Sequence, residues 1–162
     1  MALFPIVQLG DPILRTPALP VRRFDRTLGR LLDDMVETMR DAPGVGLATN
    51  QIGRPERACV IEIDGRLMEL VNPVIVRMDG TQTDLEGCLS VDGFYAETSR
   101  AEHAVVSAFD RHGRTIHVAG HGLLARALQH ELDHLDGQLY LDHLESLDLL
   151  RRVGSDGELE DE

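Results

Sequence analysis

The order of residue patterns in this chain predicts an α+β domain, with antiparallel β-sheets packed around a central helix and an amphipathic helix ahead of them. Three observations predict it. An apolar stripe at helical spacing runs from Leu28 to Met39, short apolar runs broken by turn signals occupy residues 58 to 119, and helical character returns from Gly122 to Leu135.

The first of these is the amphipathic helix. Leu28, Leu31, Leu32, Met35, Val36 and Met39 follow one helical face, and the pattern stops before Pro43. Ahead of it, the first 23 residues hold four of the seven prolines, which predicts an extended arm wrapped on the domain. The strands follow. ACVIEI and RLMELVNPVIV flank Asp64-Gly65, a favoured hairpin turn, and Asp79-Gly80 is a second turn signal. AVVSAFD and TIHVA bracket Arg111-His112-Gly113 and predict another hairpin.

A length of 162 residues suits one domain, expected over 1–150, with residues 151–162 as an acidic tail whose composition predicts disorder. The net charge of -12 argues against broad adhesion to nucleic acid or to an anionic membrane, since both need a basic face. No run approaches the roughly 20 apolar residues of a membrane helix, and the N-terminus lacks a signal-peptide pattern. Two cysteines allow one disulfide at most, and a reduced, cytoplasmic protein is the simpler expectation. Cys59, in an apolar run, reads as a small core residue.

Chemistry concentrates at His130-Glu131-Leu132-Asp133-His134. Residues i and i+4 share a helix face, so both imidazoles can reach one metal ion while Glu131, offset around the helix, reaches water beside it. That is the arrangement of metal-assisted hydrolysis. The pattern alone also fits a polar helix face with two satisfied histidines, but these two lie within an apolar arc and need partners. A third ligand is required, with one position left open. A metzincin would continue to a third histidine where this chain has Tyr140, and no downstream glutamate fits a thermolysin-like site, so the ligand is expected upstream.

Upstream stands Glu86-Gly87-Cys88-Leu89-Ser90, and with it the sequence resembles the peptide deformylases. Three blocks carry the resemblance, in order: GVGLATNQ (44–51), EGCLS (86–90) and QHELDHLDG (129–137). It implies that Cys88, His130 and His134 bind the metal, that Glu131 is the acid/base, and that Gln51 and the backbone N–H of Leu89 stabilise the oxyanion. It also implies removal of the formyl group from the N-terminal formyl-methionine of new polypeptides, Glu131 passing a proton from water to the departing amine. One divalent ion per chain is expected, Fe2+ ahead of Zn2+, Ni2+ or Co2+, because a thiolate ligand leaves a softer ion. Val45 and Leu123 are expected as walls of a methionine pocket, and Gly44 and Gly46 as positions that let the substrate backbone approach. Arg126 is expected either at the rim of that pocket or in solvent, and Arg100 either paired with Glu86 or at the surface. His143, like four other histidines without helical pairing, reads as a loop residue. Formyl-methionyl nascent peptides are the expected partners. Arg151 and Arg152 before an acidic tail provide no strong ribosome-docking segment.

The chain departs from the family pattern twice. Thr49 replaces the second alanine of the first block, and Val91-Asp92-Gly93 replaces a hydrophobic–proline–glycine run, a change expected to free the loop beside Leu89. Two other readings compete: a related hydrolase acting on another small N-acyl group, and a closed structural metal site, against which Glu131 argues.

Overall fold

The computed structural model describes residues 2–154. Its regular elements are α1 (Arg26–Asp41), β1 (Gly46–Ala48), β2 (Ala58–Ile63), β3 (Arg66–Asp79), β4 (Gln82–Cys88), β5 (Val91–Arg100), β6 (His103–Phe109), β7 (Thr115–His121), α2 (Gly122–Leu135) and β8 (Arg151–Arg152). Their order is that of the predicted α+β domain: helix, antiparallel strands, helix.

Asp25 starts α1, its side chain accepting the Leu28 N–H at 3.1 Å, and all six residues of the predicted stripe are buried. They pack on Leu47, Val60 and Val71 of the first sheet. Each buried leucine or methionine contributes about 1.5–3 kcal/mol, so this face, not helix propensity, holds α1 in place.

Five strands form that sheet in the order β1-β2-β3-β6-β7, each pair antiparallel. The β2–β3 turn is the predicted one. Asp64 and Gly65 both lie at positive φ, 53° and 77°, and Ile63 pairs with Arg66 across them. In the β6–β7 turn, the Asp110 carboxylate accepts the N–H groups of His112 and Arg114, and Gly113 takes φ 82°. Asp79-Gly80 turns the chain out of its sheet instead of back along it. β3 pairs with β6, while β4 departs to a second sheet of order β4-β5-β8. Sequence periodicity does not mark β4 and β5, because QTDLEGC and VDGFYAETSR lack a clean apolar alternation.

The N-terminal arm is extended as predicted, apart from one 3-10 turn at Pro12–Arg15. Asn72, at φ 51° in a β3 bulge, holds it through Val21: Oδ1 accepts the Val21 N–H and Nδ2 donates to the Val21 carbonyl. Ala18 and Leu19 donate to the carbonyls of Leu135 and Pro55.

One face of α2 buries Ala125, Leu128, Leu132 and Leu135 among Ile61, Leu70, Val106 and Val118 of the first sheet. Its other face meets β4. The helix is therefore clasped between two sheets. The boundary expected at residue 150 falls inside ordered structure, because Arg151 and Arg152 pair with Tyr95 and Phe94 and Val153 N–H donates to Gly93. Residues 155–162 of the acidic tail lie outside the described residues. Among the described residues, no helix is long and apolar enough to cross a membrane.

Candidate active site

Three side chains from two elements converge between the sheets. β4 ends at Cys88, and α2 presents His130 and His134 one turn apart; one donor atom from each lies within 4.8 Å of the other two. Cys88 Sγ is 3.2 Å from His134 Nε2, which is 3.2 Å from His130 Nε2. A tetrahedral ion holding two imidazoles at about 2.0–2.1 Å would keep their nitrogens about 3.3 Å apart, so the spacing fits.

Proton positions support the same reading. Glu86 accepts from His130 Nδ1 at 2.6 Å, from Arg100 at 2.6 and 3.1 Å, from Arg126 at 2.7 Å and from the Thr98 hydroxyl at 2.9 Å. Burial pushes its carboxyl up, but the bonds from His130 and Arg100 overturn that and hold it far below the usual carboxylate range. An ionised Glu86 can only accept, so His130 Nδ1 carries a proton and Nε2 is the nitrogen turned toward Cys88 and His134. Burial opposes charge on both rings. At His130 the acidic neighbours Glu131, Cys88 and Glu86 overcome it and raise the pKa well above the ordinary value. At His134, burial together with His130 lowers it well below. Cys88 Sγ, His130 Nε2 and His134 Nε2 thus face one another at a spacing that could hold a metal ion.

Glu131 lies beside them, 3% exposed, and its Oε1 has no hydrogen-bond partner among the described residues. Burial pushes its carboxyl up to about 7 against the pull of His130. A Cβ at Gly46 would stand 2.5 Å from its Oε2, and one at Gly44 would stand 2.9 Å from Leu89 Cδ1. Both glycines line the cleft, and a side chain at either would press on the protein's own Glu131 or Leu89.

Gln51, on the 3-10 turn Thr49–Ile52 that follows β1, is 1% exposed. Its Oε1 accepts the Ala48 N–H at 3.0 Å, which turns Nε2 toward Ser90 Oγ (3.1 Å) and Cys88 Sγ (3.7 Å). Thr49 is fully buried and donates its hydroxyl to the Glu56 carbonyl, so the first departure from the family pattern is satisfied without touching a metal donor. Tyr140, where a metzincin would place a histidine, stacks on the His130 ring at 6.3 Å between centroids.

A cleft of about 360 Å³ opens onto Cys88, His130 and Glu131. Val45 and Leu123 line it, and so do Leu85 and Phe94, which the sequence pattern does not single out. All four are exposed apolar side chains, so their clustering here marks a ligand-binding mouth.

Of the two readings of Arg126, solvent is ruled out, and the residue does line the cleft. Its guanidinium is buried and donates to Glu86 and to the Thr98 carbonyl. Of the two readings of Arg100, pairing with Glu86 is the one found, and Arg100 also donates to Asp133 at 2.6 Å. His143 is more than a loop residue, since it meets the same Asp133 oxygen at 2.7 Å. This buried network was not legible in the sequence, where its members are spread from Glu86 to His143; the one signal was Glu86 two residues before Cys88 on the same strand face. Cys59 is wholly buried and unbonded, as expected of a core residue.

Known proteins resemble this chain in sequence and fold. The family model described as polypeptide deformylase matches residues 3–149. A peptide deformylase of Heliobacterium modesticaldum is 50% identical over 146 residues, 90% of this chain and 97% of that protein. The crystal structure of a peptide deformylase from Legionella pneumophila superposes with a TM-score of 0.88 at 47% identity, covering 90% of this chain and 88% of that one. The Thermotoga maritima enzyme superposes at 0.87 and 35% identity, covering 90% and 100%. With a match of this extent and a Cys-His-His site in place, the chain belongs to the polypeptide deformylase family, metal-dependent hydrolases that remove the formyl group from N-terminal formylmethionine.

Proposed function

We propose that deformylation proceeds at Cys88, His130 and His134 as metal ligands, with Glu131 as the acid/base and Gln51 Nε2 and the Leu89 N–H as oxyanion donors. The observation that carries this reading is the convergence of three lone-pair donors beside a buried carboxylate oxygen that lacks a partner. A divalent ion held by that set acidifies water and polarises a carbonyl, and a thiolate among the ligands suits Fe2+ first, with Zn2+, Ni2+ and Co2+ as substitutes. Glu131 receives the proton of the attacking water and delivers it to the amine as the C–N bond breaks, which leaves formate and a free N-terminus. Gln51, its amide fixed by the Ala48 N–H, offers Nε2 to the charge that develops on the formyl oxygen. Val45, Gly46 and Leu123 line the path of the substrate, and the apolar mouth takes the methionine side chain. Formylated nascent peptides as substrates suit an enzyme that works in a bacterial cytoplasm, close to the ribosome.

Both departures from the family pattern leave the donor set intact, so nothing favours another N-acyl substrate. The test is formate release from formyl-Met-Ala-Ser by protein loaded anaerobically with ferrous iron, beside a chelated sample and Glu131→Gln. Fast, chelator-sensitive release that falls by about 10²–10⁴-fold in Glu131→Gln, with metal still bound, is the expected result. A Glu131→Gln protein as fast as the unsubstituted chain would overturn the assignment of the acid/base.

A further inference from the structure

Four hydrogen bonds tie the N-terminal arm to the two segments that carry Gln51 and Leu89. The Val7 N–H donates to the Gln51 carbonyl at 2.7 Å, and the Leu9 N–H to the Ser90 carbonyl at 2.8 Å. Between them, the Gln8 side chain bridges both ends of the turn that follows Cys88. Its Nε2 donates to the Leu89 carbonyl at 2.9 Å, and its Oε1 accepts the Asp92 N–H at 3.3 Å. That last donor is a group proline does not have. Where a proline ring would stiffen the turn covalently, this chain holds it by an amide from another part of the sequence.

Gln8 is exposed, carries no charge, and is not among the residues lining the cleft. Its contacts nevertheless reach the backbone of the segment that supplies one oxyanion donor, and the neighbouring Val7 grips the residue that supplies the other. An oxyanion donor acts only when it lies about 2.7–3.1 Å from the developing charge, so the spacing of the two donors matters more than their mere presence.

We propose that Gln8 is a positioning residue: by clasping Leu89 and Asp92 while Val7 and Leu9 hold Gln51 and Ser90, it sets the placement of the Leu89 N–H relative to Gln51 Nε2. This rests on the reading of those two groups as oxyanion donors. The loop that the loss of proline was expected to free is held, and the arm is the part that holds it.

The test compares the full chain with Gln8→Ala and Gln8→Glu, each loaded with ferrous iron, in steady-state deformylation of formyl-Met-Ala-Ser. Gln8→Glu keeps an acceptor for the Asp92 N–H but cannot donate to the Leu89 carbonyl. The expected result is a fall in kcat of about tenfold in both variants, with KM changed by less than about twofold and one metal still bound per chain. A merely structural tether would lower the thermal midpoint and leave kcat unmoved. Wild-type kcat in both variants, or a loss confined to KM, overturns the clasp alone. No formate from the unsubstituted chain overturns both the clasp and the chemistry it serves.

Discussion

Gly46 is the residue on which the candidate active site is most sterically dependent. A methyl group there would lie 2.5 Å from the Glu131 carboxylate, and the strand that carries it cannot retreat without breaking its pairing with Ile61. Gly46→Ala is therefore expected to bind metal and fold, yet to lose at least about tenfold in kcat, because a displaced acid/base is a misaligned one. Metal stoichiometry with steady-state kinetics checks this, and unchanged kcat would mean that Glu131 has room to move. Cys88, His130, His134 and Glu131 were legible as residues. Gly46's role was not, since its reason lies on a helix 85 positions away, counting from 46 to 131.

At the scale of elements, short polar ties join the N-terminal arm to the segment that follows α2. The Asp142 carboxylate accepts the Leu139 N–H at 2.9 Å and pairs with Arg15 of the N-terminal arm. Burial pushes its pKa up, and the bonds from Arg15 and the Leu139 N–H outweigh that, so the folded value lies below the ordinary one. A group whose folded pKa is depressed adds stability above its unfolded pKa of about 3.9 and loses it as pH falls through the folded value. The stability gap between the wild-type chain and Asp142→Asn should therefore be present at neutral pH and close as the pH falls below the ordinary carboxylate range. Arg15 is largely in solvent, so screening keeps the ion-pair share of the gap below about 1 kcal/mol. Thermal melts across that pH range measure it, and a gap that widens toward acid would reverse the sign of the argument. The helices and the Asp64-Gly65 turn were readable from local periodicity and turn chemistry. β4 and β5 were not, because their pairing is decided by Glu86, Cys88 and Thr98 facing α2, and those polar residues hide the alternation.

Over the whole molecule, Glu86 joins β4, β5 and α2 through Arg100, Arg126 and His130. Its removal in Glu86→Ala would leave two buried guanidinium groups short of their carboxylate. The expected loss is about 3–5 kcal/mol in urea unfolding, together with about 10–100-fold weaker metal binding as His130 loses its orienting acceptor. A variant that unfolds at the wild-type midpoint would show that water replaces the carboxylate, and the network would then be incidental to stability.

By itself the sequence determined the α+β order, the helix that carries His130, Glu131 and His134, and, through three blocks, the family and its reaction. Those are matters of local period and residue type, which short-range sterics and side-chain chemistry settle. The tertiary structure decided that Arg126 and Arg100 turn inward, that Gly46 yields its space to Glu131, and that Gln8 holds the loop where proline is missing. Each depends on groups far apart in the chain meeting at a distance of one hydrogen bond or one methyl, and no local pattern encodes which distant partner closes that gap.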